Sequence, residues 1–183
     1  VVVALIAYFL SKRKYLVWAI ALLLFTTVYN LCLKNIWQVP LPPSLHKEGY
    51  AFPSGHMHTA VVYYGTLAWG ERARRWVWWF LPLLLLGVGI SLVYKGYHYP
   101  PDIFASLGFG VVSIAATCWL GERAIFVGRS WGLPLFYFVL GLLLYFLFLQ
   151  DVANSAFTLH AMLVLAGFTL VCATPKNLFQ KKS

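Results

Sequence analysis

Acidic side chains are nearly absent from this chain: there are five Asp and Glu among 183 residues, and charged residues of either sign make up 10%. Soluble domains usually carry about 25% charged residues. So few charges cannot cover the surface of a water-soluble globule, and that class is excluded. Cysteine is scarce as well. Cys32, Cys118 and Cys172 all fall in apolar runs, an odd number without ligand-like spacing. They read as small buried hydrophobes, not as a disulfide framework or a thiolate metal site. Long polar linkers, low-complexity tracts and internal repeats are missing too, so one helical domain over residues 1–183 is the economical organisation.

What remains is apolar: 61% of residues are hydrophobic and 18% aromatic. A spanning helix needs about 20 mainly apolar residues. Candidate spans are 1–10, 15–33, 55–69, 76–93, 101–120, 131–150 and 156–174. The expected fold is therefore all-α, a polytopic transmembrane bundle of six to seven spans in a cell membrane. The run at 1–10 reads as the end of a span, because Lys12, Arg13 and Lys14 follow it, whereas a signal peptide carries its charge in front. The run at 55–69 is short, and serves if its N-terminus is tucked into protein.

The net charge of +9 comes from basic residues in short clusters between apolar runs, the pattern of topology signals and not of a nucleic-acid-binding stripe. Linkers 11–14, 70–75 and 121–130, with the tail from 175, hold eleven of the fourteen Lys and Arg; linkers 34–54, 94–100 and 151–155 hold Lys34, Lys47 and Lys95. The two sets alternate along the chain. The positive-inside rule places the first set in the cytoplasm. Trp18, Trp37, Trp69, Trp76, Trp78, Trp79, Trp119 and Trp131 fall near span ends, as an interfacial belt requires. It follows that linkers 34–54 and 94–100 share the extracytoplasmic side.

Those two linkers carry the reactive residues. Phe52-Pro53-Ser54-Gly55-His56 leads straight into an apolar run. Ser54 suits an N-cap, Gly55 permits close approach of a ligand to the backbone, and the free amides of a helix start attract an anion. His56 stands beside any oxyanion held there. The second linker reads Tyr94-Lys95-Gly96-Tyr97-His98-Tyr99-Pro100-Pro101-Asp102. A carboxylate four residues after a histidine lies one helical turn on. Bonded to the imidazole, it fixes the tautomer and leaves the other ring nitrogen as nucleophile or base. Pro100 and Pro101 suit the first turn of a helix. Taken alone, each segment also reads as an ordinary helix start with a histidine at the membrane interface.

Together they resemble the type 2 phosphatidic acid phosphatase superfamily of membrane lipid phosphatases. Its pattern is Lys, six residues, Arg-Pro; then Pro-Ser-Gly-His; then Ser-Arg, five residues, His, three residues, Asp. The second part is complete at Pro53-Ser54-Gly55-His56, the third fits at Ser91, His98 and Asp102, and the first at Lys34 and Pro42. The resemblance covers roughly residues 15–120. It implies a metal-independent phosphatase without cofactor, acting on a membrane lipid phosphate. His98 would be the nucleophile, Asp102 its orienting partner and His56 the acid for the leaving oxygen. Ser54, Gly55 and Lys34 would hold the phosphoryl group, with Lys95 a further source of charge.

Two departures stand out. Leu41 and Leu92 occupy the positions of the two motif arginines, and His46, Lys47 and Lys95 are the other cations at hand, with His58 close in sequence. A lysine does not replace the bidentate fork of arginine. A site with less fixed charge loses less on a phosphodiester than on a dianionic monoester. Lipid phosphotransferases resembling sphingomyelin synthase also pair Ser-Gly-His with His-Tyr-x-x-Asp. Transfer between lipids, diester cleavage and a catalytically silent lipid-binding relative therefore stand as alternatives. Among the remaining polar residues, His160 reads as a core histidine of the last span, and Glu71 and Glu122 as solvated turn residues.

Overall fold

The computed structural model describes residues 13–46, 48–123, 131–148 and 155–173. Six α-helices occupy most of them: α1 Arg13–Trp37, α2 Gly55–Gly70, α3 Val77–Tyr94, α4 Pro100–Gly121, α5 Gly132–Phe148 and α6 Ser155–Ala173. A short 3₁₀ turn at Pro43–Leu45 interrupts the linker between α1 and α2. Among the described residues there is no strand, and the extended pairing is a single bridge between Pro40 and Tyr50. The fold is all-α, as the composition requires.

Helices α1, α3 and α4 are long and apolar enough to cross a membrane. The 25 residues of α1 rise about 37 Å at 1.5 Å per residue, more than the roughly 30 Å hydrocarbon core. Helices α5 and the apolar part of α6 are shorter. The expected spans agree with the observed helices to within a few residues at each end. The run at 1–10, Lys47, residues 124–130 of the basic linker, Asp151 and the basic tail lie outside the described residues.

Helix α1 is central and mostly buried, packed against α2, α5 and α6, while α2 also carries α3 and α4 on its other side. Lipid offers apolar side chains as good an environment as a core does, so helices in a bilayer hold together by close packing and polar contacts. Both devices are present. A Cβ on Gly65 would collide with Ile114, and one on Gly110 would collide with Val61, so two glycines let α2 and α4 approach. Between α4 and α5, the buried Thr117 and Tyr137 share a hydroxyl–hydroxyl bond of 2.5 Å. Thr117 spends its proton on the Ser113 carbonyl at 2.6 Å, so the phenol is the donor.

Some residues stand elsewhere than the sequence placed them. Trp18 is buried against Gly121 and joins Leu22, Phe25, Val62 and Leu133 in the main core, so it does not belong to the interfacial belt. His160 is exposed on α6 and is not a core histidine. Glu71 is half-buried at the end of α2 and pairs with Arg74 at 2.9 Å, whereas Glu122 is exposed as expected. Hydropathy cannot distinguish an inward from an outward face on a helix that is apolar all round. The three cysteines are buried thiols.

Candidate active site

The C-terminal end of α1, the N-termini of α2 and α4 and the linker leaving α3 meet at one end of the bundle. The linker after α1 doubles back on itself. Leu41 N–H donates to the Gly49 carbonyl at 3.1 Å, and Ala51 N–H donates to that of Val39 at 2.8 Å. Lys34, one turn from the end of α1, donates through Nζ to the carbonyls of Tyr50 and Ala51. The chain is thereby delivered to Ser54 at a fixed distance from α1.

Ser54 caps α2 as its sequence position implied. Its backbone is extended (φ −67°, ψ 116°) and Oγ accepts from Met57 N–H at 3.4 Å. It is fully buried, so the start of α2 is enclosed in protein. Gly55 follows in the first turn and abuts Asn30 of α1: a Cβ there would stand 3.3 Å from Asn30 Oδ1. His56 is exposed.

The second segment begins where α3 stops. Gly96 adopts φ +69°, a left-handed conformation that costs glycine nothing. Its N–H donates to Val93 O at 2.9 Å and Tyr97 N–H donates to Leu92 O at 3.0 Å. This pair of bonds is the Schellman closure of a helix. The turn brings His98 to the start of α4, where Pro100 and Pro101 occupy the first helical positions. Asp102 Oδ2 accepts from Tyr99 N–H at 2.9 Å and from His98 Nδ1 at 3.3 Å. Both His98 and Asp102 are buried, at 8% and 3% exposure. A carboxylate only accepts, so Nδ1 carries the ring proton and Nε2 keeps its lone pair.

The two motifs are joined directly. Ser54 N–H donates to the Asp102 carbonyl at 3.3 Å. Ser106, one turn along α4 from Asp102, donates its hydroxyl to the carbonyls of Asp102 (2.7 Å) and Ser54 (2.9 Å). The helix start that offers free amides and the histidine with its carboxylate are thus a single rigid unit. Electrostatics agree with this geometry. The His98 pKa is lowered from its ordinary value, first by burial and then by the positive charge of Lys34, with His56 adding in the same direction and Asp102 opposing. His98 is therefore neutral at neutral pH, the form that attacks or accepts a proton.

Of the residues singled out in the sequence, Lys34, Ser54, Gly55, His56, His98 and Asp102 come together here. Lys95 caps the C-terminus of α3 and is exposed. His46 is exposed on the 3₁₀ turn. Among the described residues no group of three or more His, Cys, Asp and Glu is placed to hold a metal ion.

The chain matches the profile of the PAP2 superfamily over residues 14–126. It belongs to that superfamily. Phosphatidylglycerophosphatase B of Bacillus subtilis (strain 168) is 27% identical over 78 residues, an alignment covering 38% of this chain and 38% of the relative. No solved structure gives a significant match. The matched stretch contains both motif segments and the linker that holds Lys34 to them.

Within this PAP2 unit, the leucines at the arginine positions are not idle surface. Leu92 is buried with Met57, Val61, Leu85 and Ile103, under the first turn of α2. Leu41 lies over Gly49, its Cδ1 3.3 Å from where a Cβ would stand. Leu92→Arg is expected to destabilise the protein by about 3 kcal/mol, the cost of an uncompensated charge among apolar side chains. Thermal unfolding in detergent measures this; an unchanged or raised Tm would show that the side chain at 92 reaches polar surroundings.

Ser106 and Asn30 belong to neither motif segment, and His58 stands out in the sequence only as a nearby cation. A signal was available for the first two: Ser106 lies four residues after Asp102 and Asn30 four before Lys34, so each shares a helix face with a motif residue.

Proposed function

We propose that this chain cleaves phosphoric esters of membrane lipids, with His98 Nε2 attacking phosphorus. The observation that carries this reading is the buried His98–Asp102 pair, locked by backbone and Ser106 bonds to the amide-bearing start of α2. In the first step the N–P bond forms and the bond from phosphorus to the lipid oxygen breaks, with His56 giving its proton to the departing oxygen. Water then attacks the phosphohistidine, His56 takes a proton from it, and phosphate leaves. Ser54, the Gly55 amide and Lys34 stabilise the equatorial oxygens, so catalysis is chiefly positioning and charge stabilisation. No metal is required by this scheme.

A groove for the lipid lies beside the site. A cavity of about 700 Å³ between α3 and α4 is lined by Met57, Leu85, Gly89, Val93, Pro100 and Ile103, among other apolar and aromatic side chains. Met57 follows His56, and Pro100 stands two residues after His98. A hydrocarbon chain seated there presents its phosphate to His98. The charge asymmetry of the linkers supports an extracytoplasmic location for this end of the bundle. Cysteines introduced at Lys95 and Arg74 in a background without native cysteine are expected to label from outside only at 95. Outside labelling at 74 reverses the orientation.

Two observations favour a second reading. Lys34 is already bonded to two carbonyls, and Leu92 is buried in apolar surroundings. A site of such modest charge suits a singly charged phosphodiester, with transfer to a lipid hydroxyl replacing hydrolysis. Purified protein assayed against lipid monophosphates, diphosphates and diesters, with and without chelator, decides between the readings. Turnover that survives chelator and is strongest on lipid monoesters supports the phosphatase; turnover on diesters alone supports transfer. Activity on none of them removes both.

A further inference from the structure

Thr26, Asn30 and Lys34 recur at four-residue spacing and form one stripe on α1, from which Asn30 reaches α2. Asn30 is the middle member and is buried, at 5% exposure. Its Nδ2 donates to His58 Nδ1 at 3.2 Å, and its Oδ1 lies against Gly55. One carboxamide thus touches α2 at both ends of its first turn. His58 is fully buried, edge-on to Tyr29 with ring centroids 5.6 Å apart and near Phe109 at 6.4 Å. Its Nε2 has no hydrogen-bond partner among the described residues. A buried polar side chain is costly unless its bonds are made. A phenylalanine or leucine would fill the same space without leaving a nitrogen unsatisfied. The polar residue therefore contributes something other than filling, and the bond it does make is the one to Asn30.

That bond has a geometric consequence. Lys34 sits one turn above Asn30 on α1, and Ser54–His56 sit one turn before His58 on α2. The Asn30–His58 bond fixes the axial register of the two helices where they approach the site. It therefore sets the distance from the Lys34 ammonium to the amides at the start of α2. On the other side, Ser106 fixes the same turn to α4. From the α1 side Asn30 makes the hydrogen bond to the first turn of α2, so Asn30 carries that register.

We propose that Asn30 and His58 are a positioning pair that holds the phosphoryl-binding turn Ser54-Gly55-His56 in register with Lys34. The proposal rests on the phosphoryl-cleaving reading above and adds to it two residues outside the family motif. Neither touches the reacting atoms; they act through the cradle.

The test compares His58→Leu, His58→Asn and Asn30→Leu in the purified full chain. Inorganic phosphate serves as a probe by direct calorimetric binding, alongside turnover of a lipid phosphate. Asparagine at 58 offers a carboxamide oxygen close to where Nδ1 stands; leucine offers none but fills the space better. His58→Leu and Asn30→Leu are expected to weaken phosphate binding at least fivefold and to lower kcat/KM at least tenfold. His58→Asn is expected to stay within about threefold of wild type in both. The double leucine variant is expected to be no worse than the poorer single one, since both remove one interaction. A packing role predicts the opposite order, with asparagine more damaging than leucine, and that order would overturn the proposal. Should the leucine variants not fold, His58→Asn against His58→Ala gives the same comparison, and equal phosphate affinity in those two overturns it. A wild type that neither binds phosphate nor turns over lipid phosphate removes the parent reading; a wild type that does both, with indifferent variants, removes the positioning pair alone.

Discussion

His98→Ala is expected to lower kcat on a lipid phosphate by at least about a thousandfold, with lipid binding and Tm little changed. Loss of a nucleophile leaves only what binding and charge stabilisation supply, and in serine hydrolases that residue of catalysis is far below the intact rate. The side chain lies in the linker ahead of α4 and is bonded to Asp102, so its removal leaves the helix contacts of the bundle in place. Steady-state kinetics on purified variant and wild type, with unfolding followed in parallel, measure this. Equal turnover in the two would remove His98 from the chemistry.

Asp102→Asn should produce the second-largest loss, on the order of a hundredfold or more in kcat, because the imidazole loses the negative charge that orients it and stabilises the imidazolium formed on attack. The pH profile adds a sign. Burial and Lys34 lower the His98 pKa, and Asp102 opposes them. On the proposed mechanism neutral His98 is the active form, so the acid limb of kcat/KM in wild type is expected below about pH 6.5, the ordinary histidine value. Removing the carboxylate removes the one influence that raises the pKa. The acid limb of the variant should therefore move to lower pH even as its plateau falls. A limb that moves upward would contradict the assigned electrostatics. Because Asp102 also accepts from Tyr99 N–H, the asparagine oxygen can keep that bond, and the start of α4 is expected to remain intact.

Much of this site was legible in the sequence because its parts are local. The cap at Ser54, the glycine turn at Gly96, the Pro-Pro helix start and the four-residue step from His98 to Asp102 each depend on a few neighbouring residues. The helix ranges were legible because a bilayer sets a minimum apolar length. What was hidden depends on which helix faces which. The inward turn of Trp18, the exposure of His160 and the Asn30–His58 bond all follow from pairings between distant segments. On helices apolar over their whole circumference, periodicity carries no record of such pairings.

The two leucines show how packing can redefine a motif position. Leu92 contributes to an apolar cluster with Met57 and Ile103, directly beneath the turn that would hold phosphate. Its neighbours Val93 and Gly89 line the groove between α3 and α4. At this place the end of α3 presents apolar side chains, and the positive charge acting most strongly on His98 comes from Lys34 on α1.

The central claim is that phosphorus passes through His98, and the direct test is to trap it there. Protein turning over a lipid phosphate labelled with radioactive phosphorus would be quenched in alkali, which preserves an N–P bond, then digested and sequenced by mass spectrometry. The account predicts a phosphorylated imidazole at residue 98, formed and lost at rates compatible with turnover and absent from His98→Ala. Label on another residue, or rapid turnover with no labelled protein at any time point, would contradict it.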